Sequence, residues 1–523
     1  MINRGIGTWL ERRRRSSAGE IAIVSARGEL SYDDFADRVA QLASALQVRG
    51  VRAGDRVAYV GENDPSFLET LFATGAVGGI FVPLNTRLAV PEIRFALQDS
   101  APDVLVVSGG LWELGAKGAE GTPVSLLVCV SEGAEQTPGA QDIETVDYEE
   151  LVASKSTEHG AVELPDVAVD LDDPAVILYT SGTTGNPKGA VLTHGNLTWN
   201  AFNVIVDYDV TSRDVALMIA PMFHVAALGM GALPTLLKGG RLVLERRFDA
   251  GLVLRLIEQH RVTTISGVPT TYQMLAEHPA WDGADLSSLR NLTCGGSAVP
   301  LRVLDAFENR GLSFRMGYGM TETAPGVTTL PGRYSREKQG SAGIPHFHTF
   351  TRVAGPDGAA CAPGEVGEIQ VQGPNVISEY WNRPDANASS WEHAEDGSWF
   401  RTGDMGYLDE DGFLFISDRL KDMFISGGEN IYPAQVEQQI AQLPQVAGVA
   451  VIGVPDERWG EVGRAVIMVR EGQELTEREV LDHLDGRLAH YKIPKSAVFV
   501  TQLPRTASGK IRKPDLRSRF GQP

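Results

Sequence analysis

Short apolar runs closed by turn residues set the tightest limit on what this chain can fold into. The segments 56-RVAYVGEN-63, 104-VLVVS-108, 176-VILYTSG-182 and 241-RLVLE-245 mostly end in Gly, Ser or Asn, and helical patterns lie between them. Strands that alternate with helices imply α/β layers with buried sheets. From about Phe350 the texture changes, and 364-GEVGEIQVQG-373 and 411-DGFLFISD-418 read as antiparallel hairpins that close the large domain.

Beyond Lys421 a compact pattern follows: a Gly-Gly turn, a helix from Pro433, the strands 447-AGVAVIGV-454 and 464-RAVIMV-469, a helix near 478-REVLDHL-484 and a last strand 497-AVFV-500. Such a segment can form a small α+β domain of its own. The expected organisation is a domain over 1–417, a hinge at 418–421 and a second domain over 422–523. At 523 residues the chain is too long for one core, so several are expected.

A net charge of −20 repels phosphate backbones and excludes nucleic acid as a natural partner. The local exception, 12-RRRR-15, reads as the solvated face of a first helix, with contact to an anionic membrane surface as the alternative. Cys129, Cys294 and Cys361 are isolated thiols with no CxxC pair, which points to a reducing cytoplasm and to neither disulfides nor a zinc site. No signal peptide and no membrane-spanning run is read.

The loop 179-YTSGTTGNPKGA-190 gathers hydroxyls and glycines around Lys188 after a strand. It fails the G-x-x-x-x-G-K-[ST] spacing, because Pro187 stands sixth from Gly182 and Gly189 follows the lysine. A turn of this composition can still donate N–H and O–H groups to phosphate oxygens. With 318-YGMTET-323, 401-RTGD-404, 418-DRLKDMFISGGENIYP-433 and 504-PRTASGKIRK-513 in the same order, the chain resembles the adenylate-forming superfamily of acyl-CoA synthetases, adenylation domains and luciferases. The resemblance covers nearly the whole sequence. It implies a large N-terminal domain, with two α/β layered subdomains and a β-barrel-like one, and a small mobile α+β C-terminal domain.

It also implies ATP, Mg²⁺ and coenzyme A, and a carboxylic acid that is first adenylated and then passed to a thiol. By that resemblance Thr180, Ser181, Gly182, Thr183, Thr184, Gly185 and Lys188 hold the β- and γ-phosphates, and Glu322 holds Mg²⁺. Thr321 bonds the α-phosphate. Tyr318, flanked by Gly317 and Gly319, packs on adenine opposite Gly296, Ser297 and Ala298. Asp404 accepts from the ribose hydroxyls, and Arg419 is a second ribose or phosphate contact. Lys510 bridges the carboxylate and α-phosphate during adenylation. Lys421 stands at the hinge, and Ser426, Gly427 and Gly428 line the thiol tunnel after the small domain rotates.

His224 in 221-PMFHVAALGM-230 resembles the aromatic residue beside the acyl carboxylate. Relatives that activate amino acids place an aspartate next to it; here Val225 stands there, and no acidic residue occurs from 221 to 233. A buried ammonium would be unpaired, so an amino-acid substrate is not expected. The segments 193-THGNLTWN-200, 224-HVAALGMGALPTLLKGG-240 and 318-YGMTETAPGV-327 are most similar to bacterial feruloyl-CoA synthetases, with fatty acyl-CoA synthetases as the alternative. Plant coumarate ligases carry a lysine at Ile425 and a tyrosine at Ala226, so their pocket does not transfer directly. No carrier region follows Pro523, and free coenzyme A is the expected acceptor. A non-catalytic adenylate-binding regulator is the reading from another class, and the expected assembly is a monomer or homodimer.

Overall fold

The computed structural model describes residues 2–131, 142–154, 162–180, 187–295, 299–419, 422–426, 429–456, 459–485, 487–488, 490–505 and 511–522. Contacts divide the chain into two compact units, Met1–Phe350 with Gln372–Trp391, and Thr351–Val371 with Glu392–Pro523. The second unit thus reaches to the N-terminal side of the 418–421 boundary expected from the sequence.

In the first unit the apolar runs become two sheets. One has eight strands in the order Glu379–Tyr380, Lys188–Thr193, Pro174–Thr180, Ile80–Leu84, Arg56–Val60, Val104–Ser108, Leu126–Val130 and Glu144–Asp147. The last six are parallel to one another, whereas Lys188–Thr193 runs antiparallel to both of its neighbours. Ile80–Leu84 and Leu126–Val130 are buried at every position, as strands covered on both faces must be. In the other sheet, Arg241–Leu244, Val215–Met218, Thr264–Gly267, Asn291–Gly295 and Phe314–Gly319 run parallel, and Gly326–Leu330 turns back antiparallel.

Buried Asn63 ties the sheets together at the carboxyl ends of their strands. Its amide donates to the carbonyls of Met218 (3.2 Å), Ala220 (3.0 Å) and Glu245 (3.0 Å), and its oxygen accepts from the Met222 N–H at 2.9 Å. In open α/β sheets ligands bind at this end.

In the second unit the segments read as hairpins both pair with a strand the sequence reading did not single out. Gly367–Gln372 and Leu414–Arg419 flank Gly397–Leu408, all antiparallel. A five-stranded sheet follows, built on Val446–Asp456 and Gly460–Val469. Its strands alternate cleanly: Val449 and Val451 pack with Val436, Ile440, Val480 and Leu484 of two helices, while Ala450, Ile452 and Val454 pack with Leu503 and Leu516 on the other face.

The arginine run lies on the helix Trp9–Ser17, where Arg12 and Arg15 are exposed, as a solvated face implies, and Arg13 and Arg14 are half-buried. Arg13 donates to the Leu237 carbonyl at 2.9 and 2.5 Å, satisfying a last-turn oxygen of the helix Leu233–Lys238. Arg14 pairs with Asp37 at 2.6 Å, and Arg12 reaches the Asn3 carbonyl at 2.8 Å. Among the described residues all three cysteines are free, and no helix is long and apolar enough to cross a membrane.

Candidate active site

Thr180 and Lys188 are cross-strand partners where Pro174–Thr180 meets Lys188–Thr193, and the Thr180 hydroxyl donates to the Lys188 carbonyl at 3.3 Å. The two strands therefore fix both ends of the hydroxyl-rich loop. Tyr179, at the loop's start, is a structural residue: its hydroxyl donates to Asp99 at 2.8 Å. Asp99 also takes Arg383 at 2.9 Å, and its carbonyl accepts the Trp381 indole N–H at 3.0 Å.

That anchorage fixes Tyr380, which the sequence reading missed. Tyr380 pairs with Ala190 on the edge of the sheet, and its hydroxyl donates to Glu322 Oε1 at 2.8 Å. Lys188 Nζ lies 5.1 Å from the centre of the same ring, a cation–π distance. One phenol thus brings together the loop lysine and the carboxylate of 318-YGMTET-323, which are far apart in sequence. Burial first, and then the Glu322 charge, push the Tyr380 hydroxyl far above its ordinary range, so it stays a donor. A lone aromatic in a two-residue strand gives no periodic signal; the pair Tyr380-Trp381 ahead of Arg383-Pro384 was the only hint.

Glu322 sits on the turn Thr321–Thr323, directly after the strand Phe314–Gly319 that carries Gly317, Tyr318 and Gly319. Tyr318 pairs with Thr328 across the antiparallel ladder. A Cβ at Gly319 would lie 1.6 Å from the Pro325 carbonyl, so no other residue allows the chain to double back this closely. The buried amide of Asn375 fixes the turn by donating to the carbonyls of Thr323 (2.8 Å) and Gly326 (2.7 Å).

His224 caps the short helix Val225–Ala227, which continues as a π-helical turn over Leu228–Ala232. Its ring packs on Phe223 with centroids 4.7 Å apart. A Cβ at Gly229 would meet the Ala324 carbonyl at 2.4 Å, so the turn after His224 lies against the turn after Glu322. Buried Asn200 locks this junction: its amide donates to the Gly229 carbonyl at 2.8 Å, and its oxygen accepts the Gly326 N–H at 3.0 Å.

Residues 10–381 match the AMP-binding enzyme family and residues 435–510 its C-terminal domain. The chain belongs to the AMP-binding enzyme family. It is 50% identical over 521 residues, covering 100% of both chains, to a feruloyl-CoA synthase of an Amycolatopsis species. It is 42% identical over 517 residues to an indoleacetate–CoA ligase of Aromatoleum aromaticum, covering 98% of this chain and 97% of that one. Among solved structures it resembles the O-succinylbenzoate coenzyme A synthetase of Bacillus subtilis in complex with ATP and magnesium ion, with a TM-score of 0.84, 34% identity, and coverage of 98% and 99%.

Within this family member, Asp404 and Arg419 belong to the second unit, where they are backbone partners on adjacent strands, and Asp404 is 6% exposed. Ser426 ends the strand Phe424–Ser426 and is buried. Ser181, Gly182, Thr183, Thr184, Gly185, Gly296, Ser297, Ala298, Lys421, Gly427, Gly428 and Lys510 lie outside the described residues. Glu322 suits Mg²⁺, which binds through one or two carboxylates and completes its shell with water and phosphate oxygens. Buried at 7% exposure and oriented by Tyr380, it offers a hard oxygen donor beside the lysine of the loop.

Proposed function

We propose that this enzyme is an ATP-dependent carboxylate–CoA ligase acting on hydroxycinnamates such as ferulate. The observation that carries the reading is the meeting of Lys188 and Glu322 on the Tyr380 ring, a cation and a carboxylate placed together where a polyphosphate and its metal need both. In the first step a carboxylate oxygen attacks the α-phosphorus of ATP, and the bond to pyrophosphate breaks. In the second a thiolate attacks the acyl carbon, and AMP departs as the thioester forms.

Lys188 neutralises the departing phosphates, and Thr321 bonds the α-phosphate. Glu322 would hold Mg²⁺, which would supply further charge neutralisation when bound. Tyr318 and the 296–298 segment flank the adenine, Asp404 and Arg419 hold the ribose, and Lys510 bridges the reacting oxygens. Rotation about Lys421 then brings Ser426, Gly427 and Gly428 to the thiol path. No acidic residue occurs from 221 to 233 around His224, which supports an acid without an α-amino group. Free cysteines support a cytoplasmic setting.

The test is CoA-dependent AMP release by purified protein over ferulate, p-coumarate, benzoate and fatty acids of increasing length. The highest kcat/KM is expected for the phenylpropenoids. A preference for long-chain fatty acids would overturn the substrate assignment, and AMP release with none of them would overturn the hydroxycinnamate and fatty-acid readings together.

A further inference from the structure

Asn200 is 0% exposed on the helix His194–Tyr208, and its amide joins two turns that lie far apart in sequence. Nδ2 donates to the Gly229 carbonyl at 2.8 Å, on the turn after His224, and Oδ1 accepts the Gly326 N–H at 3.0 Å, on the turn after Glu322. Both partners are glycines. A Cβ on Gly229 would lie 3.1 Å from Nδ2, and one on Gly326 would lie 2.8 Å from Oδ1, so bare backbone on either side gives the amide its place. One end meets a carbonyl and the other an N–H, which fixes the orientation of the amide.

The two turns differ in what else holds them. On the Glu322 side a single segment supplies several anchors: Asn375 donates to the carbonyls of Thr323 and Gly326, the Ile377 N–H donates to the Glu322 carbonyl at 2.9 Å, and Tyr380 holds the carboxylate itself. Asn375 is braced in turn, because its oxygen accepts the Thr349 hydroxyl at 2.9 Å and Asn203 donates to that hydroxyl at 3.0 Å. The π-helical turn Leu228–Ala232 on the other side takes its side-chain bond from Asn200. Turns of that kind are rare and cluster at functional sites. Losing the amide therefore falls on the His224 side, while the carboxylate keeps its anchors.

We propose that Asn200 is a positioning residue for the carboxylic acid: its amide sets the turn carrying His224 against the Glu322 turn, and so places the acyl carboxylate for attack. The role rests on His224 being the wall beside that carboxylate. Which acid fills the site does not enter, because the amide acts on the two turns and not on the acyl group.

The experiment measures two quantities in each variant: the KM for whichever acid of the ferulate-to-fatty-acid panel is turned over fastest, and the calorimetric Kd for Mg²⁺ with α,β-methylene-ATP, whose bridge cannot be cleaved. Asn200→Asp keeps the acceptor for Gly326 and turns an acceptor on the Gly229 carbonyl; Asn200→Ser adds no charge and is too short to join both turns. Each should raise the acid KM about tenfold or more and leave the nucleotide Kd within about twofold. Asn375→Asp, which loses the donors to Thr323 and Gly326, should do the reverse. An acid KM that stays put in the Asn200 variants, or one that moves in step with the nucleotide Kd, overturns the positioning role. So does failure of both Asn200 variants to fold by circular dichroism, since the amide would then serve the fold and not the acid. His224→Ala separates the two readings: a raised acid KM there beside an unmoved one in the Asn200 variants overturns the role of Asn200 alone, whereas an unmoved KM in His224→Ala takes down the acyl-wall reading and the role of Asn200 with it.

Discussion

Tyr380 shows how a site residue can be fixed by contacts that have nothing to do with its chemistry. Gly189 accepts the Trp381 N–H at 2.7 Å, and Asp99 takes both the Trp381 indole and Arg383, so the segment is held on either side of the phenol. The hydroxyl then orients Glu322. Tyr380→Phe removes a hydrogen bond to a charged acceptor, worth about 1.5–3 kcal/mol. The expected result is roughly a tenfold or larger rise in the Mg²⁺ concentration for half-maximal adenylation, with the KM for the acid unchanged. A Mg²⁺ titration of AMP release decides it; an unchanged titration with a raised acid KM would place Tyr380 on the acyl side instead. Lys188 and Glu322 are legible because each sits in a motif of several residues, while Tyr380, Asn200 and Asn375 act through three-dimensional contacts that leave no local pattern.

Helices and strands were legible where their periodicity was strong. The helix Pro433–Ile440, the strands Val446–Asp456 and Gly460–Val469, and the helix Glu477–Leu484 lie where the apolar spacing put them. Of the arginines 12–15, Arg12 and Arg15 face water as charge runs usually do, whereas Arg13 and Arg14 find backbone and carboxylate acceptors on neighbouring helices that no local pattern announces.

The helix His194–Tyr208 opens on a buried histidine. His194 Nδ1 accepts the Ile6 N–H at 3.2 Å, docking the N-terminal segment, and desolvation by burial pushes its pKa down to about 4 from 6.5. Between those values the unfolded chain binds the proton and the folded one does not. Stability is therefore full above about pH 6.5 and falls as pH drops toward about 4, by on the order of 3 kcal/mol for this group. Urea unfolding at intervals across that window should show the loss, and His194→Gln, which keeps an acceptor but does not titrate, should flatten it. An unchanged slope in the variant would assign the acid sensitivity elsewhere.

At the scale of the whole molecule, the candidate residues divide between two units. Lys188, Glu322, Tyr380 and His224 belong to the first, and Asp404, Arg419, Ser426 and the motif of Lys510 to the second. A reaction in two chemical steps can use this division if the second unit presents Lys510 for adenylation and the 426–428 segment for thiol attack. The two faces can then be separated by mutation. Lys510→Ala should slow acyl-adenylate formation on the order of a hundredfold, because it removes a donor aimed at charge that develops in the transition state, yet thioester formation from supplied acyl-adenylate should persist. Lys421→Pro fixes a backbone angle at the pivot and should do the reverse, sparing pyrophosphate release while blocking transfer to coenzyme A. Single-turnover assays of the two half-reactions read both outcomes. If each variant slowed both halves equally, one fixed arrangement would serve both steps, and the pivot at Lys421 would have no part in catalysis.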